Sequence, residues 1–95
     1  MVTQELLEAA KLRVRKTRSD ALDEDVKQLC EVAIADLKRI GVSDNYLSDC
    51  TDPLIRGAVL TYVKANYGRP TDGEKLMLAY DMFLTKIKGS SRYYG

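Results

Sequence analysis

The chain has 95 residues, of which 45% are hydrophobic and 31% are charged, and its formal net charge is +1. A chain of this length forms one domain, and its composition excludes wholesale disorder. The near-zero net charge excludes a strong general attraction to nucleic acid or to a membrane, so any such contact depends on a local patch.

Cys30 and Cys50 are the only cysteines, and the chain has no histidine. Without CxxC spacing or histidine ligands, they predict two reduced thiols rather than a zinc site. The first residues lack the apolar run of a signal peptide, and no stretch approaches the ~20 apolar residues of a membrane span. We therefore expect a protein that folds in a reducing cytoplasm and has no membrane partner.

The first predicted helix covers residues 3–15 and is capped by Thr3. Its end and the residues that follow form a basic cluster: Lys11, Arg13, Arg15, Lys16 and Arg18. Cations at a helix C-terminus complement its dipole by a few tenths of a kcal/mol up to ~1 kcal/mol each. Two interpretations therefore stay open: a solvated helix end, or a contact for DNA or an acidic protein surface.

The second predicted helix covers residues 21–40 and carries one clean apolar stripe: Leu22, Val26, Leu29, Cys30, Ala33, Leu37 and Ile40. Gly41 ends it. The polar connection 42–51 is longer than the ~2–8 residues usual between bundle helices, so it either spans the molecule or has a function. Within it, Tyr46 and Leu47 are expected to anchor in the core.

The third predicted helix covers residues 53–67, with Asp52 as its N-cap and Pro53 in its first turn. Its apolar side chains cover more than half of the circumference, and the predicted solvent edge is limited to Arg56, Gly57, Thr61 and Lys64. Such a helix needs neighbours on several sides. The sequence therefore predicts a small all-α, four-helix bundle-like domain with this helix at its centre.

The fourth predicted helix covers residues 72–88, and residues 90–95 are predicted to be a flexible tail. Leu78 and Met82 lie one turn apart, off the apolar stripe of this helix, and are flanked by Lys75 and Lys86. This pattern is either a chance exposure or an interface for a partner. The tail holds residue types favoured in interfaces, Arg92, Tyr93 and Tyr94, although a frayed end explains it equally well.

Catalytic chemistry is not indicated. The chain has no histidine base, no Gly-rich phosphate loop, no G-x-S-x-G elbow and no metal-ligand spacing. Its carboxylates lie mostly at helix starts and on solvated faces, and Tyr62, Tyr67 and Tyr80 follow the spacing of core aromatics. We expect a protein that is not an enzyme and that holds no cofactor and no metal.

Three segments resemble the head–tail connector (head-completion, DNA-packaging adaptor) proteins of tailed bacteriophages. They are Asp52-Pro-Leu-Ile, Ala58-Val-Leu-Thr-Tyr-Val-Lys-Ala-Asn-Tyr-Gly68, and Glu74-Lys-Leu followed by Ala79-Tyr-Asp81 and Leu84. The resemblance extends in outline over the whole chain and is specific over residues 52–84. The Arg92-Tyr93-Tyr94 tail matches no motif of that family.

The resemblance implies an all-α subunit of a ring beneath the portal vertex of the virion, made in the cytoplasm of the bacterial host. Such a ring extends the DNA channel, helps to retain the packaged DNA and offers a platform to the next tail-proximal connector protein. The implied partners are the portal protein, copies of the chain itself, that tail-proximal protein and the DNA in the channel. We expect Leu78 and Met82, with Lys75 and Lys86, to contact a neighbouring copy or the portal.

In the same scheme the tail clamps a partner, and the basic cluster faces DNA or the portal. Two other classes of protein stay open. One is a small helical nucleic-acid-binding module that uses the basic cluster, although no exposed recognition helix stands out. The other is a helical adaptor unrelated to phages.

Overall fold

Every secondary-structure element in the described part of the chain is helical. The structure is a computed structural model that describes residues 2–15, 23–67 and 72–93. The elements are α1 (Gln4–Arg15), α2 (Asp23–Arg39), α3 (Asp44–Leu47), α4 (Pro53–Asn66), α5 (Gly73–Lys88) and a C-terminal 3-10 turn (Ser91–Tyr93). The predicted all-α, bundle-like fold is confirmed, and the four long helices lie within two residues of their predicted bounds.

Two of the helices are capped at their N-termini by the side chains that the sequence predicted. The Thr3 hydroxyl accepts a hydrogen bond from the Leu6 amide at 3.1 Å. The Asp52 carboxylate accepts hydrogen bonds from the amides of Leu54, at 3.1 Å, and Ile55, at 3.4 Å. Each cap satisfies amide groups that have no partner inside the helix. For α5, Asp72 stands at the cap position without a side-chain hydrogen bond to the helix.

The central position of α4 is confirmed, because this helix packs against α1, α2 and α5. The α4 side chains that are buried are Ile55, Ala58, Val59, Leu60, Val63 and Ala65. Gly57 does not lie on a solvent edge as the sequence pattern suggested. A Cβ atom on Gly57 would stand 2.7 Å from Cε1 of Phe83, so the absence of a side chain lets the aromatic ring of α5 lie directly on α4.

The predicted long connection contains a short helix that the sequence pattern did not reveal. Ser43 caps α3 by accepting a hydrogen bond from the Asn45 amide. Leu47 is 4% exposed and Tyr46 packs against the core, so both anchors are confirmed. Cys50 then takes a left-handed conformation, with φ of 53°, just before the chain enters α4.

Candidate interaction surfaces

The outer face of α5 carries the apolar pair expected from the sequence. Leu78 is 65% exposed and Met82 is 63% exposed. Lys75 and Lys86, which flank them on the same helix, are also exposed. We call these four residues the outer face. An apolar pair at i, i+4 spacing on an otherwise well-packed helix has the pattern of a helix that docks on another protein.

A groove of about 530 Å³ lies beside this face, between α2 and α5. Its lining is Val32, Ala35, Asp36 and Arg39 of α2, Tyr62 of α4, and Met77, Tyr80, Asp81 and Leu84 of α5. Sequence reasoning missed this groove. One signal was available, because Val32 stands off the apolar stripe of α2 and is 44% exposed.

A polar contact joins the two walls of the groove. The Tyr80 hydroxyl donates a hydrogen bond of 2.6 Å to the Asp36 carboxylate, and Arg39 forms an ion pair with the same carboxylate. The hydrogen bond from Tyr80, and then that from Arg39, lower the pKa of Asp36. Burial, and then the hydrogen bond to Asp36, raise the pKa of Tyr80. The hydrogen bond therefore links the α2 wall of the groove to its α5 wall.

The C-terminal turn is packed on the domain, which differs from the expected flexible tail. Tyr93 is 1% exposed, and its hydroxyl donates a hydrogen bond of 2.6 Å to Asp52. The Ser43 amide donates a hydrogen bond of 2.7 Å to the Tyr93 carbonyl. The ring of Tyr46 meets that of Tyr93 edge to face, with centroids 5.0 Å apart. Tyr93 is therefore a core residue of the chain and is not available to a partner in this state.

Arg92 is engaged in the same contact. It forms an ion pair with Asp52, and its guanidinium carbon lies 4.9 Å from the centre of the Tyr93 ring. Burial raises the pKa of Asp52, but the hydrogen bonds from Tyr93 and from the Ile55 amide, with the charge of Arg92, lower it to a net value below the ordinary one. Burial, and then the hydrogen bond to Asp52, raise the pKa of Tyr93 to about 12. Tyr94 lies outside the described residues.

Lys11 does not share an exposed surface with Arg13. Lys11 is 8% exposed, and its Nζ lies 2.7 Å from an Asp23 carboxylate oxygen. It falls one turn from the buried Leu7 on the α1 face that packs inward, so its aliphatic part is buried while its charge reaches α2. Lys11 is therefore paired within the subunit, and its charge is not open to DNA or to an acidic partner in this structure.

Of the other members, Arg13 is exposed. The side chain of Arg15 lies outside the described part of the structure, as do Lys16 and Arg18. The burial of Lys11 removes one of the five charges on which the nucleic-acid alternative depended.

Both thiols are buried in the core. Cys30 and Cys50 are free and 0% exposed. Burial, together with the neighbouring Cys50 and Glu31, raises the pKa of Cys30 to about 11. Within residues 2–15, 23–67 and 72–93, no group of three or more His, Cys, Asp or Glu side chains is placed to hold a metal ion. None of the helices in those ranges is both long and apolar enough to span a membrane.

No protein-family model, curated protein or solved structure matches this chain.

Proposed function

We propose that this protein is a structural head-completion protein of a tailed phage, which assembles as a ring under the portal. There it extends the DNA channel, retains the packaged DNA and presents a platform for the next tail-proximal protein. The observation that carries the proposal is the outer face of α5, where Leu78 and Met82 stand open on an all-α domain. The resemblance of residues 52–84 to the connector proteins is the reason for proposing a phage connector ring rather than another assembly.

The outer face is suited to a protein contact because it belongs to a helix that is already folded and packed in the subunit. The helix that carries it is held against α4 by the contact of Phe83 with Gly57 and against α2 by the hydrogen bond from Tyr80 to Asp36. A partner that covers Leu78 and Met82 removes apolar surface from water without first ordering the helix, which favours association.

The net charge supports a channel protein rather than a DNA-binding one. A chain with a net charge of +1 has little general attraction to the phosphate backbone, so DNA can pass through the channel without being held strongly. In this proposal Arg13, Arg15, Lys16 and Arg18 face the portal or the channel, and the protein is located at the head–tail interface of the virion after synthesis in the host cytoplasm.

The test replaces the two apolar residues of the outer face with aspartate and measures whether the protein still assembles. In Leu78→Asp with Met82→Asp, the free energy of unfolding should change by no more than about 1 kcal/mol, because both side chains are largely solvated and only helix propensity is lost. The same variant should fail to form rings, to bind the portal protein encoded in the same genome, and to enter virions. Light scattering, electron microscopy and particle composition report these outcomes.

The matched control is Lys27→Asp with Glu31→Asp. Both residues are exposed on α2 and have the same i, i+4 spacing, and the two substitutions together change the net charge by −2, as the two on α5 do. The control should assemble normally. Normal rings from the α5 variant would refute the interface, and a source genome without portal, capsid and tail genes near this gene would refute the phage assignment.

A further inference from the structure

We infer that the outer face of α5 of one copy docks in the groove between α2 and α5 of the next copy. The inference rests on the proposed self-assembly, because it supplies the second of the two different faces that a ring requires. The occupant is therefore a second copy of this chain.

The two surfaces are chemically complementary. The groove offers apolar side chains on both walls, Val32 from α2 and Met77 and Leu84 from α5. Met82, which is unbranched, and Leu78, which is branched, are also apolar and can pack against these walls. Packing of an i, i+4 pair into the space between two helices is the ordinary geometry of helix–helix contact.

A lysine beside Leu78 and Met82 and a carboxylate in the groove can form one charged contact between the copies. Within the outer face, Lys75 and Lys86 flank Leu78 and Met82 and are exposed. Neither lysine belongs to an ion pair between residues of the described ranges. The groove carries the carboxylates of Asp36 and Asp81, of which Asp36 already pairs with Arg39. The exposed Asp81 is therefore the carboxylate that can accept a lysine from the neighbouring copy, a contact that sets orientation more than affinity.

The outer face and the groove lie at nearly the same position along the axis of α5. The outer face is centred on the level of Tyr80, midway between Leu78 and Met82. The α5 wall of the groove extends from Met77 to Leu84, so its centre lies half a residue further along, a shift of under about 1 Å at the helical rise of ~1.5 Å per residue. For a neighbour whose α5 runs parallel, the contact needs almost no translation along the helix, which is one of the conditions for a closed ring.

The experiment cross-links two copies of the full chain. Met82→Cys and nitrogen-15-labelled Val32→Cys proteins are mixed in equal amounts and treated with a short bis-maleimide, and mass spectrometry separates mixed from self products. The buried natural cysteines serve as an unreactive background, checked with the parent protein. The matched control replaces the second partner with Glu31→Cys, an exposed neighbour of Val32 on a different face of α2.

Docking raises the local concentration of the two engineered thiols, so the Met82→Cys with Val32→Cys product should exceed the control product by roughly tenfold. Adding Leu78→Asp to the Met82→Cys chain should reduce it to the control level. A mixed product no more abundant than the control, or a predominance of Met82→Cys self products, would overturn the inference.

These outcomes are separate from those that test the function. Rings that bind the portal without this cross-link would leave the connector assignment intact and exclude the groove. The cross-link in a protein that never binds a portal would establish the contact between copies and exclude the connector assignment.

Discussion

Replacement of Tyr93 by Ala tests whether the last turn belongs to the folded core. The side chain is 1% exposed, so its removal leaves a cavity beneath the turn and should lower the free energy of unfolding by about 3–5 kcal/mol. That is a large part of the ~5–15 kcal/mol that stabilises an ordinary domain. For a domain of this size the midpoint temperature should fall by more than about 12 °C.

Two milder variants separate the contributions to this loss. Tyr93→Phe removes the hydrogen bond to Asp52 and should cost about 1.5–3 kcal/mol, because the acceptor is charged. Arg92→Ala removes an ion pair whose arginine side chain is 59% exposed and screened by solvent, and should cost less than Tyr93→Phe. Urea unfolding followed by circular dichroism measures all three variants.

Hydrogen exchange provides an independent measurement. The Ser43 amide bonds to the Tyr93 carbonyl, so deletion of residues 91–95 should make this amide exchange quickly while amides in the middle of α2 remain protected. A Tyr93→Ala protein within about 1 kcal/mol of the parent, or a Ser43 amide that is unprotected in the parent, would refute the packed turn.

Three further predictions concern ionisable side chains. The lowered pKa values of Asp36 and Asp52 stabilise the fold above the ordinary carboxyl pKa of about 4, so the free energy of unfolding should fall as the pH drops below that value. Asp36→Asn should flatten this pH dependence when stability is measured by urea unfolding. An equally steep curve would contradict the prediction. Cys30 and Cys50 should resist a thiol reagent at pH 8 until urea unfolds the chain, whereas rapid labelling of the native protein would contradict their burial. Lys11→Met should change the unfolding free energy by under about 1 kcal/mol, because Asp23 stays hydrated. It should leave any affinity of the protein for duplex DNA unchanged. A clear loss of DNA affinity would instead show that Lys11 contributes to DNA binding by the basic cluster.

Features that depend on local sequence were predictable. The stripe of Val26, Cys30, Ala33 and Leu37 placed α2, and all four side chains are buried. Asp52 followed by proline marked the start of α4, because capping involves only the next few residues. Leu78 and Met82 could be recognised as outward-facing from helical spacing alone.

Features that depend on distant contacts were not predictable. Tyr93 and Asp52 are 41 residues apart, and no periodicity links a tail residue to a helix cap. The four-residue α3 is too short to form without tertiary support. Lys11 counted as a surface charge only because the position of Asp23 beside it was unknown. The groove required knowledge of which faces of α2 and α5 meet.

The contact between Gly57 and Phe83 has a consequence for how the outer face is aimed. Gly57 is the one α4 residue without a side chain, and a Cβ atom there would stand 2.7 Å from Cε1 of the Phe83 ring. Gly57 and Phe83 therefore set how closely α5 can approach α4. Because α5 carries Leu78 and Met82, a larger residue at position 57 would also shift these two side chains relative to α4.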